Sequence, residues 1–395
     1  MASIISATTT SGLVSTADNS GDLQFQTQNG ANTITLPNSS GTLATTASLS
    51  GFGFKNRIIN GAMTIAQRGT SAVTTDESFP VDRFQLQIVN ANLSLVQSST
   101  APAGFNYSIA ATVTSTTSAT VLDRSRLFQN IEGFNVADLD WGTANAKTIT
   151  VSFWARSTVT GTYSGNVTNG GGNRSYIFTY ALTANTWTYV TATIAGDTSG
   201  TWLKTNGNGL CLNPITFNCG SNYQGTAGSW IAGDARGTSG STYLATSNSG
   251  AVFNITGVQL EVGSTATSFD YRPYGTELTL CQRYFQTYGY GIGSPNDAPL
   301  GTGYYFTSVE AIILMYFAVT MRTKPTYSSA TVTNGYRYSR AGASTTINSL
   351  PYYGTSSQSI AFFGDINLPV AGSAGNAVVI YTEQPGARVN FSAEL

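Results

Sequence analysis

The sequence predicts an all-β chain in successive parts: an N-terminal β stem, a central jelly-roll β-sandwich, a short linking helix and a C-terminal β-sandwich tip. Three observations predict this. Only 9% of the 395 residues are charged, against about 25% in a typical globular chain. Gly, Ser, Thr and Asn fill the polar positions, while 21 Tyr and 19 Phe supply bulk. Short runs alternating apolar and polar residues recur between turn residues, the period of strands, and a single short segment changes to a helical period. A hydrophobic content of 41% supplies real cores to two or three domains.

Residues 1–53 form the stem. Asp22–Gln26 (DLQFQ) and Asn32–Leu36 (NTITL) alternate, and Gln28-Asn29-Gly30 between them signals a hairpin. So few apolar residues bury no core alone; wrapping with copies from other chains would supply one, while the first ten residues read equally as a frayed terminus. Residues 54–275 form the sandwich, with strands expected at 83–89, 92–97, 107–113, 125–131, 147–156, 161–167, 175–181, 186–194, 201–203, 209–217 and 251–261. In Lys147–Arg156, Ile149, Val151, Phe153 and Ala155 make the core face, and Trp154 points the other way. Residues 276–395 hold the helix and tip. Leu278, Cys281 and Phe285 fall at i, i+3 and i+7 over Thr276–Gln286, with Thr276 as N-cap. Further strands are expected at 303–306, 311–321, 327–333, 359–363 and 377–382.

Several function classes are excluded. The chain has no histidine, so Ser-His-Asp and Cys-His catalysis and histidine zinc sites are absent. Carboxylates sit mostly in turns with no legible pair, and the chain is not expected to be an enzyme. Its 18 basic and 19 acidic residues are scattered, which leaves nucleic acid without a footprint. The longest apolar run, Ala311–Val319, is about half of the ~18 residues that span a bilayer, so a buried strand is expected and membrane insertion is not. No basic segment followed by an apolar run opens the chain, so export by a cleaved signal is not expected. Cys211 and Cys219 either bridge a short loop or, in a reducing cytosol, stay free and buried as Cys281 does.

Asn56–Met63 (NRIINGAM) and Gly257–Gln286 (GVQLEVGSTATSFDYRPYGTELTLCQRYFQ) resemble the central region of phage tail-fibre and related virion adhesion proteins. Ser11–Thr27 resembles the stem of such fibres. Ala318–Pro325 (AVTMRTKP) and the final FSAEL resemble their C-terminal tip. TVSFWARS, TWTYVTATIAG and FNITGVQLEVG look like landmarks of carbohydrate-binding-module and laminin-G-like sandwiches. The resemblance implies a homotrimeric fibre on the phage tail, assembled in the host bacterial cytoplasm. Its N-terminus would meet other tail or baseplate proteins, and its tip host-surface polysaccharide. A capsid decoration or head fibre, and a polysaccharide-depolymerising tailspike, are the alternative readings.

Glycan binding needs flat rings beside polar side chains. Trp141, Trp202, Tyr223, Trp230 and Tyr243 lie in or beside Gly-rich loops and, with Trp154, offer either a sugar platform or packing against a neighbouring subunit. Tyr336, Arg337, Tyr338, Arg340, Tyr352 and Tyr353 form a second candidate cluster in the tip. No cofactor is implied except calcium, which the resembled sandwiches hold near their first and last strands. Asn60, Asp82, Glu261 and Asp270 are its candidate ligands, with Asp82 equally able to pair with Arg83 or Arg272.

Overall fold

A computed structural model describes residues 23–26, 33–36, 54–289, 298–340, 342–350, 354–355, 360–364 and 372–395. Contacts divide the chain into two units, Met1–Gly53 and Phe54–Leu395. In the first, β1 (Leu23–Gln26) and β2 (Thr33–Leu36) pair antiparallel, Leu23 opposite Leu36 and Gln26 opposite Thr33. The expected turn at Gln28–Gly30 lies outside the described residues.

The second unit opens with a sandwich. Its strands are β3 (Gln85–Gln87), β4 (Asn92–Ser98), β5 (Ser108–Ser115), β6 (Arg126–Glu132), β7 (Ile149–Ser157), β8 (Gly161–Asn169), β9 (Arg174–Leu182), β10 (Thr188–Ile194), β11 (Asn208–Thr216), β12 (Trp230–Ala232) and β13 (Val252–Val262). They form two antiparallel sheets, β10-β7-β13-β5-β4 and β12-β9-β8-β11-β6-β3. The inner strands β5-β13-β7-β10 face β6-β11-β8-β9, with β5, β6, β7 and β8 alternating between sheets, which is jelly-roll topology. Ile149, Val151, Phe153 and Ala155 all reach the core, as their spacing requires. Leu127, Leu212, Val167 and Phe178 meet them from the other sheet. The expected strand at 201–203 is absent, because Trp202 turns inward and packs on Trp141.

Helix α1 (Leu244–Ser247) is one turn; α2 (Tyr274–Gln282) is the expected linking helix, begun two residues earlier than read. It follows Pro273, whose fixed φ suits a helix start, and Thr276 does not cap it. It stops before Phe285 because Phe285 and Gln286 pair with Ser392 and Phe391 as strand residues. No helix among the described residues is long and apolar enough to cross a membrane.

Beyond it lie β14 (Phe285–Gly289), β15 (Ala298–Tyr305), β16 (Ala311–Tyr316), β17 (Thr326–Ser329), β18 (Tyr336–Arg340), β19 (Ala343–Ile347), β20 (Gly354–Thr355), β21 (Ile360–Gly364), β22 (Ala377–Thr382) and β23 (Arg388–Ser392). Sheet β14-β23-β17 and sheet β19-β18-β22-β15-β16-β21-β20 share a core in which Val389 and Phe391 belong to the same cluster as Ile313, Met315, Tyr336 and Ile380. The apolar run at Ala311 gives β16, which buries Ala311, Ile313 and Met315 on one face and leaves Tyr316 exposed.

The two hallmark strings lock together. Asn56, fully buried, donates from Nδ2 to Val258 O at 3.0 Å, and its Oδ1 accepts from Ile58 N at 2.9 Å and Leu260 N at 3.0 Å. Val258 N donates to Gly61 O at 3.0 Å. A Cβ at Gly61 would lie 2.2 Å from Val258 O, so only glycine fits there. The segment before β3 therefore runs along β13 outside its regular strand pairing.

Candidate functional site

Among the described residues a concave surface lies on the outer face of the five-stranded sheet. Period-two alternation turns Ser152 and Trp154 of β7 away from the core, and the β10–β7 register sets Tyr189 directly opposite Trp154. Their ring centroids are 5.3 Å apart. Between β7 and β5, β13 carries a bulge at Thr256–Gln259. Gly257 within it has φ +64°, and a Cβ there would meet Phe105 Cζ at 2.7 Å and Trp154 Cδ1 at 3.2 Å. Glycine thus lets two rings close over the strand.

Two loops raise the walls. Residues 102–106 bring Phe105, and the strap after β13 brings Phe269 and Tyr271. The strap is held from below by β13 itself. Glu261 Oε1 accepts from Thr267 N at 2.8 Å and Gln259 Nε2 at 2.9 Å, its Oε2 accepts from Thr267 Oγ1 at 2.6 Å, and Gln259 Oε1 accepts from Asp270 N at 2.8 Å. Tyr271 Oη donates to Gly104 O at 2.8 Å and joins the walls. Phe105, Phe269 and Tyr271 form a triad with centroids 4.9–5.6 Å apart.

The triad divides two hollows. One, of about 450 Å³, is lined by Trp154, Tyr189, Ser152 and the triad. The other, of about 240 Å³, runs past the triad to Asp270, Arg272, Tyr274 and Glu277. Tyr189 is 41% and Tyr271 59% exposed, so ring surface faces solvent while backbone and hydroxyl groups hold the rings in place. Arg272 is anchored, donating to Ile58 O and Glu277 Oε1 at 3.2 and 3.3 Å and to Asn56 O.

Of the glycan-binding candidates read from sequence, only Trp154 lines this groove, and of the calcium candidates only Asp270 does. Trp141 and Trp202 are 3% and 9% exposed and correct the expectation of loop platforms. They form an edge-to-face triad with Trp230, with centroids 4.6, 5.2 and 5.5 Å apart, closing one end of the sandwich core. Their indole N–H groups donate to Lys147 O, Ser199 O and Ala195 O. Tyr243 pins its own loop through Thr238 O at 2.6 Å, and Tyr223 lies among arginines away from the groove-lining residues.

In the tip, Tyr336 and Tyr338 are core residues, because β18 alternates and both point inward. Tyr336 Oη donates to Arg388 O at 2.7 Å; Tyr338 is buried, and burial pushes its hydroxyl pKa up. Arg337, on the opposite face, pairs with Glu383 at 2.6 Å, and Arg340 is half-buried. Tyr352 and Tyr353 lie outside the described residues.

The calcium candidates separate into two places and are already engaged. Asn60 holds Ile65 O and Asp82 O at 2.8 and 2.9 Å. Asp82 accepts from Gln67 N at 2.9 Å and faces Arg68 at 3.7 Å, in place of the Arg83 or Arg272 pairing considered from sequence. Glu261 holds the strap, and Asp270 accepts from Asn56 N at 3.2 Å. Among the described residues no group of three metal-ligating side chains converges. Cys211, Cys219 and Cys281 are free and buried.

Phe105, Tyr189, Phe269, Tyr271 and Tyr274 were missed. Their signals are the aromatic spacing in Phe269–Tyr274 (FDYRPY) and the pairing of the TVSFWARS and TWTYVTATIAG strands, whose register places Tyr189 on Trp154.

No family model and no curated protein matches the chain. Solved structures do. The CBM22-1 xylan-binding domain from Paenibacillus barcinonensis Xyn10C is 8% identical and covers 50% of this chain and 99% of its own, with a TM-score of 0.27. A putative sugar binding protein from Bacteroides thetaiotaomicron is 13% identical over 53% and 100%, with a TM-score of 0.29. TmCBM61 in complex with β-1,4-galactotriose is 13% identical over 53% and 99%, with a TM-score of 0.26.

Proposed function

We propose that the groove binds a polysaccharide chain, its sugar rings stacked on Trp154 and Tyr189 and on the Phe105–Phe269–Tyr271 triad. The observation that carries this reading is the meeting of five aromatic rings from two strands and two loops around one open hollow. A pyranose ring presents C–H groups on its face and hydroxyls at its edge, so it matches flat rings flanked by Ser152, Thr267 and Asp270. Two hollows that share the triad as a wall suit several units of a chain better than a single small sugar. In this reading the function is binding without turnover.

Trp154→Ala and Tyr271→Ala test the reading. Affinity electrophoresis through neutral polysaccharides should show at least about tenfold weaker retention for each, roughly 1.4 kcal/mol of binding, with melting temperatures close to the parent's. Retention equal to the parent's in both variants overturns it.

The wider role we infer is that of a phage virion fibre bearing this groove, supported by the resemblance of NRIINGAM and the strap sequence to tail-fibre proteins. Weak sites then act together through avidity. A homotrimer belongs to the same reading and is supported by Tyr304, Phe306 and Tyr316, exposed in the β15–β16 region of the seven-stranded sheet. Light scattering should give a mass about three times the chain's 41.5 kDa; a monomer at micromolar concentration would remove the trimer.

A further inference from the structure

A chain with 18 basic residues brings three arginines together around two side chains at one edge of the six-stranded sheet. Gln87 of β3 lies opposite Arg126 of β6, and its Oε1 accepts from Arg126 Nε at 3.1 Å and also from Arg236 Nη1. Tyr223 lies beneath both other guanidinium groups, with Arg124 Cζ 5.0 Å and Arg236 Cζ 5.5 Å from its ring centre. Arg124 also donates to the Tyr223 hydroxyl, and Arg236 Nη1 reaches Arg124 O at 3.4 Å.

One carboxylate answers these three charges. Asp234 takes Arg236 in a bidentate pair at 2.9 and 2.6 Å. Asp123 accepts from Thr120 and Asn90 and makes no ion pair among the described residues. Arg126 is 8% exposed, rests 4.2 Å from the Phe128 ring centre, and among the described residues has only Gln87 and the Cys211 sulfur, at 3.6 Å, as hydrogen-bond partners. A buried guanidinium without a carboxylate, as Arg126 is, is costly, and the Arg126 and Arg236 charges on one neutral acceptor repel each other. Burial lowers the Arg126 pKa from its ordinary value, with the Arg236 charge adding to the effect and Cys211 and Asp234 opposing it. Among the described residues the cluster has one carboxylate for three guanidinium groups, and a planar fork matches a carboxylate or phosphate group.

We propose that Arg124, Arg126 and Arg236 form an oxyanion site, separate from the aromatic groove, that takes the charged group of an acidic ligand. Half-buried Arg124 and Tyr223 form its solvent side, and Arg126 its floor.

Thermal melts of the full chain in sodium phosphate, in oligogalacturonate and in sodium chloride of matched ionic strength test this. The expected result is a rise of at least about 2 °C over chloride with one or both anions. Oligogalacturonate alone active means that the sugar frame is needed; phosphate active means that the oxyanion suffices. Arg124→Gln should weaken the response at least about tenfold, judged from the anion concentration needed. Arg126→Met should abolish it without lowering the melting temperature in chloride. Trp154→Ala should leave it intact, which separates this site from the groove. No rise with either anion, or an undiminished rise in Arg124→Gln, overturns the proposal; the latter variant decides the matter if Arg126→Met fails to fold.

Discussion

Asp82 is a buried carboxyl placed where three parts of the chain meet. It binds Gln67 and faces Arg68, and Arg68 in turn reaches Glu394 at 3.1 Å and lies 3.6 Å from the Phe285 ring centre. Burial outweighs the nearby arginine and raises its pKa to about 6, from an ordinary 3.8. The folded state therefore holds a proton that the unfolded chain has released between about pH 4 and 6, so stability falls as pH rises through that window, by up to about 3 kcal/mol. Asp82→Asn removes this contribution. Between pH 4.5 and 7 the parent's melting temperature should fall relative to the variant's, and parallel profiles would show that the carboxyl is already ionised at the acid end.

At the scale of elements, strands were legible and their partners were not. The alternation in Lys147–Arg156 gave β7 its core face, and regular turn residues gave nearly every strand of the sandwich within two or three residues of its observed bounds. Gly257 illustrates what stayed hidden. It sits inside a strand of alternating apolar and polar residues, where sequence pattern reads only a weak strand former. Its positive φ and the closeness of Phe105 and Trp154 give it a role, and they exist only once β13 lies between β7 and β5. The groove was hidden for the same reason: Tyr189, Phe105 and Phe269 are far apart in sequence, and only strand register and the Gln259–Glu261 anchors assemble them. Tryptophans in Gly-rich loops misled in the opposite direction, because a large ring beside a flexible turn can swing inward, and Trp141 and Trp202 do. In β18, the tyrosines two apart that look like a display cluster share a face, and that face is the core.

On the scale of the whole second unit, the sandwich and the region after α2 are joined by a polar and apolar junction. Buried Glu132, at the end of β6, accepts from Arg283 Nε and Nη2 at 2.9 and 2.6 Å and from Tyr284 Oη at 2.8 Å. Burial would raise its pKa, but these bonds together hold the carboxyl below its usual range. Arg83 stacks on the Tyr284 ring at 3.6 Å and pairs with Glu394, while Asn130 Nδ2 donates to Leu395 O at 3.0 Å. Arg322 ties Asn206 O to Ala393 O and Glu394 O. Beneath them Ile59, Ile65, Cys281 and Tyr284 form a small core of their own. Each side leaves buried charge unmatched if the other unfolds, so the two should unfold together. Calorimetry of the full chain is expected to show one main transition for Phe54–Leu395. Glu132→Gln, which leaves Arg283 half-paired, should lower it by several degrees, consistent with a loss of about 3 kcal/mol. Two well-separated transitions in the parent, or a variant that melts with it, would mean that the junction orders these residues without coupling the two β layers.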